Sequence, residues 1–450
     1  SVAASNGGFG SVTSTGFTLV ADDGYSFNKN NKDMVAWSFR KQEGFFDVVT
    51  YTGDTSSSKQ IAHNLGSTPA CILIKRTDDS VSWLVYHKDI PGSNGTGVGY
   101  MSLNTNDNNS VNANAFPTQP TSTHFTVNAN YGGMNASGAS YIAYLFAGGN
   151  DSASQIFGDD GDEAIIKCGG YTADSSNAYA VNLGFEPQWL MIKRTSGDGD
   201  WEILDNMRGV TTNAADGQFL EANNSNAEFN DYGAYITSTG FVGSNQSGAN
   251  GASYIYVAIR RGPMKEPSVG TDVYKGVTGT NSAPAFVTGM PVDWAIRVKP
   301  TSPNTTSFQT TTRLTNPKNL NINDNSASFS SDGGFDFQNG FLDSTYFDNT
   351  WFAWNFRRFP KVFDVVVYTG TGSSLNVTHN LNATPELIII KKTTESSYAG
   401  WAVYYGTSSN LILNKDNSTG HWYSNAVTAA SSTTFTAAAN TDVNDSTETH

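Results

Sequence analysis

The sequence predicts an all-β protein: a tandem array of antiparallel β-sandwich domains of about 90–120 residues each, with little helix. Three observations lead to this prediction. Segments such as 46–53 alternate side chains over two faces and end at a Thr-Gly turn signal, as half-buried strands do. No stretch of about 11–18 residues keeps a helical period of 3.6 residues. The same landmarks also return along the chain in an unchanged order, which indicates internal repeats.

Each repeat opens with a strand and a turn. The strand has the form FDVV-YTG, and its copies lie at 46–53 and 363–370, with weaker ones at 165–172 and 277–279. The turn contains Asn-Leu followed by a proline, and its copies lie at 64–69, 182–187 and 380–385, with only Thr-Gly-Met-Pro at 288–291.

The later landmarks are strands. An apolar run that ends in cations lies at 71–77, 190–195 and 387–393 and, altered, at 294–299. A Trp-led segment follows at 83–86, 201–204 and 401–404. An aromatic closing strand ends each repeat, at 34–39, 141–146, 254–259 and 351–356. Because this closing strand carries large side chains on both faces, we expect it in the centre of its sheet.

These anchors divide the chain into five parts. They are the back part of an incomplete repeat at 1–45, repeat 1 at 46–162, repeat 2 at 163–272, a divergent repeat 3 at 273–362, and repeat 4 at 363–450, which lacks its last strand. The plain interpretation of the broken ends is an excerpt or processed piece of a longer polypeptide. The alternative is that the front of repeat 4 pairs with the orphan back part of the next molecule, which gives head-to-tail association.

Composition disfavours several classes of partner. The 450 residues carry 26 Lys and Arg against 40 Asp and Glu, a net charge of −14, without a dense basic cluster, so we expect no nucleic acid partner. No window approaches about 18 consecutive apolar residues, so we expect no membrane span. With only Cys71 and Cys168, the chain has no disulfide framework.

The recurring basic residues have plain structural interpretations. His63 and His379 stand at equivalent places before the Asn-Leu turn, but repeat 2 has Val181 there. We therefore expect turn-stabilising histidines and not metal ligands. The Lys-Arg or Lys-Lys pairs at strand ends could form an anion-binding stripe, but ordinary solvation or charge gatekeeping is the better interpretation. These pairs lie at 75–76, 193–194 and 391–392.

The acidic residues are treated in the same way. An acidic run at the junction of repeats 1 and 2 lacks the order of a calcium loop, so we interpret it as a solvated linker; it consists of Asp159, Asp160, Asp162 and Glu163. Asp198 and Asp200 lie in a Gly-rich hairpin tip and are expected to form a turn.

No catalytic motif is present in a fitting context, neither G-x-S-x-G nor H-E-x-x-H nor a P-loop. The sequence therefore predicts no catalytic, cofactor-binding or metal-binding residue and no cofactor. Paired carboxylates for glycoside cleavage stay open, because their separation is spatial. Aromatic residues make up 12% of the chain, and most fall at the repeated strand positions, so we place them in cores first and in sugar stacking second.

The combined landmarks resemble the tandem β-domains of tail-fibre and related virion structural proteins of tailed bacteriophages. The residues that carry the resemblance are FDVV-YTG, H-N-L-x-x-x-P, the apolar run with K-R-T, W-x-V-Y, and YIAYLF or WFAWNFRR. The resemblance covers nearly the whole chain, and repeat 3 departs from it. These motifs define a fold, so no functional residue is carried over.

The resemblance implies a non-enzymatic structural or adhesive protein of a virion appendage, located outside the cell. The implied partners are further copies of the chain in a homo-oligomer, other virion tail proteins, and a glycan or protein receptor on the host surface. A subunit of a bacterial extracellular filament or adhesin, assembled head-to-tail through the broken repeats, is the alternative. A polysaccharide depolymerase is a third hypothesis.

Overall fold

The computed structural model confirms the all-β prediction. Helix is confined, among the described residues, to a turn of 3-10 helix at Gly270–Asp272 and to α1 at Thr441–Asn444. The structure describes residues 9–14, 16–20, 28, 34–90, 99–108, 115–129, 133–157, 161–208, 218–230, 234–243, 250–261, 269–300, 308–316, 318–323, 326–330, 334–335, 337, 339–342, 347–394, 400–406, 409–413, 423–424, 426–446 and 448–450.

The strands follow the repeat plan. The N-terminal part contributes β1 (Phe9–Val12) and β2 (Phe17–Leu19). Repeat 1 contains β3 (Phe46–Thr52), β4 (Lys59–Ala62), β5 (Pro69–Arg76), β6 (Leu84–His87), β7 (Met101–Ser102), β8 (His124–Val127) and β9 (Ser140–Ala147). Repeat 2 contains β10 (Ile166–Thr172), β11 (Tyr179–Asn182), β12 (Pro187–Arg194), β13 (Trp201–Asp205), β14 (Gln218–Glu221), β15 (Phe229–Asn230), β16 (Ala234–Thr237), β17 (Gly240–Gly243) and β18 (Ser253–Arg260).

The second half continues in the same order. Repeat 3 contains β19 (Tyr274–Thr278), β20 (Phe286–Val287), β21 (Trp294–Val298), β22 (Phe308–Thr312), β23 (Lys318–Asn321), β24 (Phe329–Ser330), β25 (Gly340–Phe341) and β26 (Phe352–Phe356). Repeat 4 contains β27 (Leu375–Thr378), β28 (Ile388–Ile390), β29 (Ala402–Tyr404), β30 (Ser409–Ile412), β31 (Tyr423–Ser424), β32 (Val427–Ala430) and β33 (Thr434–Ala437), followed by α1.

Repeats 1 to 3 each form one large and one small antiparallel sheet with the same strand plan. The large sheets have the orders β3-β9-β5-β6-β7, β10-β18-β12-β13-β14-β15 and β19-β26-β21-β22-β23-β24. The small sheets are β4-β8, β11-β17-β16 and β20-β25. In every large sheet the closing strand (β9, β18 or β26) lies between the opening strand and the strand of the apolar run. The predicted central position of the closing strand is therefore confirmed.

The large sheet of repeat 2 is buried on both faces at its central strands β12 and β18. On β12, Leu190 and Ile192 pack with Phe241 of the small sheet in the core of the sandwich. The alternate residues Trp189 and Met191 point the other way and join the core cluster of repeat 1. Near-continuous apolar runs are the expected sequence of a strand that is covered on both sides.

Neighbouring repeats pack on one another through a recurring contact. The indole Nε1 of Trp201 in repeat 2 donates to the backbone oxygen of Ser102 in repeat 1 at 2.9 Å. In the same way Trp401 in repeat 4 donates to the backbone oxygen of Asn321 in repeat 3 at 3.1 Å. Repeat 4 therefore lies on repeat 3 much as repeat 2 lies on repeat 1.

Repeat 4 differs from the others at the centre of its large sheet. Its sheets have the orders β28-β29-β30-β31 and β27-β33-β32. The segment 363–369 corresponds to β3, and its residues 364–367 have no strand partner among the described residues. Thr449 and His450 stand at the place where a closing strand begins: His450 N donates to Tyr368 O at 2.9 Å, and Thr393 N donates to Thr449 O at 2.9 Å.

Candidate functional site

A groove runs through repeat 4 where the other repeats hold their closing strand. It has a volume of about 870 Å³ and lies between the segment 363–369 and the apolar run 387–391. Trp294, Thr310 and Phe356 of repeat 3 form its opposite wall. The residues that line the groove are mostly apolar.

Apolar side chains along this groove are far more exposed than their counterparts in repeat 2. Leu387 is 59% exposed, whereas Trp189 at the equivalent place of β12 is 8% exposed. Ile389 is 36% exposed, whereas Met191 is 4% exposed. In repeat 2 the closing strand β18 contributes Ile255 and Val257 to the same cluster as Trp189 and Met191. The exposure in repeat 4 follows from the absence of such a strand among the described residues.

The two edges of the groove carry backbone groups arranged for strand pairing. In repeat 1, β9 pairs with β3 on one side, where Ala143 faces Val49, and with β5 on the other, where Tyr144 faces Leu73. In repeat 4, β28 pairs with β29 on its far side only, so the near side of Ile389 is an open strand edge. An open edge of this kind is a template for another strand.

A buried ionic cluster fixes the segment that enters the groove. The guanidinium of Arg358 holds the carboxylate of Glu186 in repeat 2 through two hydrogen bonds of 2.7 and 2.6 Å. Its Nε donates to Asp364 Oδ1 at 2.6 Å. Burial alone would lower the pKa of Arg358, but the charges of Asp364 and Glu186 raise it above its ordinary value. This bidentate pair ties repeat 2 to the connection between repeats 3 and 4.

Asp293 extends the same cluster into repeat 3. Its carboxylate accepts from Arg261 at 2.8 Å, from Arg313 at 3.2 Å and from the backbone N–H of Arg358 at 2.8 Å. Burial alone would raise the pKa of Asp293, but the three arginines hold it below its usual value. The cluster is a fully partnered structural junction between three repeats.

The predicted turn histidines are confirmed by their contacts. The backbone N–H of Leu65 donates to His63 Nδ1 at 3.3 Å, and that of Leu381 donates to His379 Nδ1 at 3.2 Å. Burial lowers the pKa of both histidines. Asp47 supports the same turn, since its Oδ2 accepts from the backbone N–H of Asn64 at 2.8 Å. Both histidines therefore serve as neutral acceptors within a turn.

The prediction that the Lys-Arg and Lys-Lys pairs are solvated is wrong for three lysines. Lys193, Lys391 and Lys392 are buried. Lys193 Nζ donates to the backbone oxygens of Asn106 at 3.2 Å and Arg194 at 3.1 Å, and it lies over the ring of Trp201. Burial lowers the pKa of Lys193 to about 8. Backbone carbonyls replace water around the ammonium while the stem covers apolar surface. These three lysines therefore have a structural role.

The acidic residues are drawn into contacts between segments. Glu163 pairs with Arg260, with Nη2 and Oε1 3.3 Å apart, so it is more than a solvated linker residue. Asp162 is exposed, and Asp159 and Asp160 lie outside the described residues. Asp198 Oδ1 accepts from the backbone N–H of Asn108 in repeat 1 at 3.2 Å.

Asp200 and several tryptophans are also engaged in contacts within the fold. Asp200 Oδ1 accepts from Asn223 Nδ2 at 2.6 Å. Of the tryptophans expected in cores, Trp189, Trp201, Trp351 and Trp401 are buried.

In the part of the chain that the structure describes, no three His, Cys, Asp or Glu side chains come together as a metal ion would require. The helices described there are too short and too polar to reach across a bilayer.

Two buried asparagines form a recurring feature that the sequence interpretation missed. Asn135 Oδ1 accepts from the N–H of Asp54 at 2.9 Å, and its Nδ2 donates to Ser56 O at 2.9 Å. Asn444 bonds in the same way to the N–H of Thr371 and to Ser373 O. Each asparagine ties the loop before the closing strand to the turn after the opening strand. Their equal distance before Ser140 and Thr449 was the available signal.

The fold and the groove together define an all-β protein of tandem sandwich repeats with one incomplete sheet. The family described as a domain of unknown function (DUF7483) matches residues 1–263 and 360–449, which is more than half of the chain, so the chain belongs to this family. The unmatched part between them contains most of repeat 3, whose landmarks depart from the others. No curated protein matches the sequence.

Proposed function

We propose that this chain is a non-enzymatic structural or adhesive protein of a bacteriophage tail fibre or a related virion appendage. One observation carries the proposal: the charged and histidine side chains that recur between repeats are used to build the repeats. Asp47 and His63 hold a turn, and Lys193 is enclosed by backbone carbonyls. Stacked sandwiches supply length, and their Asn-rich and Ser-rich loops offer a neutral polar surface for weak multivalent attachment to a host.

Immunoelectron microscopy tests this proposal. Antibodies raised against the purified chain should label the tails of phage particles. Label on bacterial surface filaments, with unlabelled phage tails, would overturn it. Incubation with host surface polysaccharide provides a second measurement, because the release of new reducing ends would favour a depolymerase.

The second candidate is a subunit of a bacterial extracellular filament or adhesin. The open groove of repeat 4 favours it, because an unpaired strand edge flanked by exposed apolar residues suits assembly between molecules. The labelling experiment separates this role from that of a virion appendage.

A further inference from the structure

We propose that repeat 3 is a conformationally labile unit built into the array, and that it unfolds before repeats 1 and 2. The cause lies on the inner face of its large sheet, where polar side chains stand in the places of apolar ones. The inference goes beyond the proposed appendage role and does not depend on it, because it concerns the stability of one repeat and not the particle that carries it.

The cores of repeats 2 and 3 can be compared residue by residue, because their strands share one register. Three neighbouring core positions of repeat 2 form an apolar row: Ala258, Leu190 and Leu204. The same row of repeat 3 consists of Asn355, Ala295 and Thr311. All six side chains are buried. Repeat 3 has thus lost two core leucines and gained a carboxamide and a hydroxyl group, which lowers the apolar area that it buries on folding.

The next row along the same strands contains a charge. Ile192 of repeat 2 pairs with Tyr256 in an apolar core, and its place in repeat 3 is taken by Arg297. Arg297 is buried, its Nε and Nη2 donate to Gln309 Oε1 at 3.0 and 2.7 Å, and its guanidinium lies 5.0 Å from the centre of the Phe347 ring. A buried charge is tolerated only while its partners are held in place. This core therefore depends on polar contacts where repeat 2 relies on apolar packing.

Two buried carboxamides of this core are incompletely bonded among the described residues. Leu320 packs toward repeat 4, so the preceding Asn319 points to the inner face; it is 2% exposed, and its Nδ2 has no hydrogen-bond partner there. Asn355 Nδ2 donates to Lys275 O at 3.0 Å and to Ala353 O at 3.1 Å, but its buried Oδ1 accepts no hydrogen bond. Such an atom loses its bonds to water on folding without replacement, which favours the unfolded repeat.

Repeat 1 contains a buried asparagine of the opposite kind. Asn135 has no exposed surface, and both ends of its carboxamide are bonded: Oδ1 accepts from the N–H of Asp54, and Nδ2 donates to Ser56 O, both at 2.9 Å. The same substitution therefore has opposite consequences at the two places. It breaks hydrogen bonds at Asn135, whereas at Asn319 it removes an amide group that has no partner.

The place of repeat 3 in the chain gives its lability a mechanical consequence. Residues 273–362 connect the pair of repeats 1 and 2 to repeat 4. Unfolding of this segment alone would lengthen the chain by roughly 300 Å, since an extended chain spans about 3.3–3.6 Å per residue. Repeats 1 and 2 would keep their fold, so repeat 3 would act as the compliant element of the array.

Native-state hydrogen exchange of the 450-residue chain tests the proposal at matched positions. Leu73 on β5, Met191 on β12 and Ile296 on β21 occupy the same central place, with a paired strand on either side. The protection factor of the Ile296 amide should be at least about tenfold lower than those of the other two amides. Equal protection at the three places, or stronger protection of Ile296, would overturn the proposal.

Two leucine variants test whether the polar core is the cause. Asn319→Leu nearly keeps the size of the side chain and removes the unbonded amide, so it should raise the protection of Ile296 by about tenfold and leave that of Met191 unchanged. Unchanged protection of Met191 shows in the same sample that repeat 2 stays folded. The matched control Asn135→Leu should lower the protection of Leu73. Unchanged or lower protection of Ile296 in Asn319→Leu would contradict the assigned cause.

Discussion

The interface between repeats 1 and 2 should make the protein sensitive to mild acid through His87. This side chain is buried on β6, and its Nδ1 accepts from the backbone N–H of Asp89 at 3.2 Å. The other nitrogen, Nε2, therefore carries the proton and donates to Tyr256 O in repeat 2 at 3.0 Å. A second proton would break the bond to Asp89 and place a charge in the core, so burial lowers the pKa of His87 to about 4.

The size of the stability loss follows from the difference in the pKa of His87 between the unfolded and the folded chain. The ordinary pKa of 6.5 applies in the unfolded chain and about 4 applies in the folded one, so the unfolded state binds more protons between these values. Stability from this group is complete above about pH 6.5 and is lost as the pH falls toward 4. The full difference is about 3 kcal/mol, of which about 2 kcal/mol is lost by about pH 5.

Urea unfolding of the unchanged chain and of His87→Gln, at about pH 8 and about pH 5, measures this effect. Glutamine can donate to Tyr256 O at both pH values, so the variant should lose about 2 kcal/mol less on acidification than the unchanged chain. Other titrating groups cancel in this difference. An equal loss of stability in the two proteins would refute the assignment of a neutral, interface-bound His87.

Three further predictions concern the junctions and the turn. Arg358→Met should destabilise the protein by roughly 3–5 kcal/mol in chemical denaturation, because it leaves Glu186 and Asp364 buried without their cation. An unchanged stability would contradict the buried junction. Gly184→Ala should lower the free energy of unfolding by about 1–2 kcal/mol, because φ is +74° there, while the added Cβ meets no heavy atom except Lys167 Nζ. Asn382→Gly, at φ +51°, should leave the stability unchanged. Equal effects of the two substitutions would refute this turn geometry. Trp201→Phe and Trp401→Phe should each lose about 1 kcal/mol through one hydrogen bond between repeats, and a loss in only one of them would show that the two interfaces differ.

Much of the fold could be predicted from the sequence because its signals are local. Strand alternation in FDVVTYT gave β3, and large side chains on both faces of YIAYLF placed β9 in the centre of its sheet. Val181 at the place of His63 and His379 was enough to disfavour a metal site.

Contacts between distant segments were not predictable in this way. Glu186 and Arg358 are far apart in sequence and nothing in either neighbourhood marks them as partners, yet they form a bidentate pair. The burial of Lys193 depends on the backbone oxygen of Asn106 in another repeat. A sequence pattern shows which face a side chain takes, but not which backbone carbonyl will replace water around its charge.

Hydrogen–deuterium exchange tests the central claim most directly, because it compares opening strands within one molecule. The amides of Val49 and Tyr51, which point toward β9, and of Lys167 and Gly169, which point toward β18, should be protected, whereas those of Val366 and Ile389, which point into the groove, should exchange faster. Protection of the Val366 and Ile389 amides equal to that of Val49 and Tyr51 would contradict an open groove between these two segments.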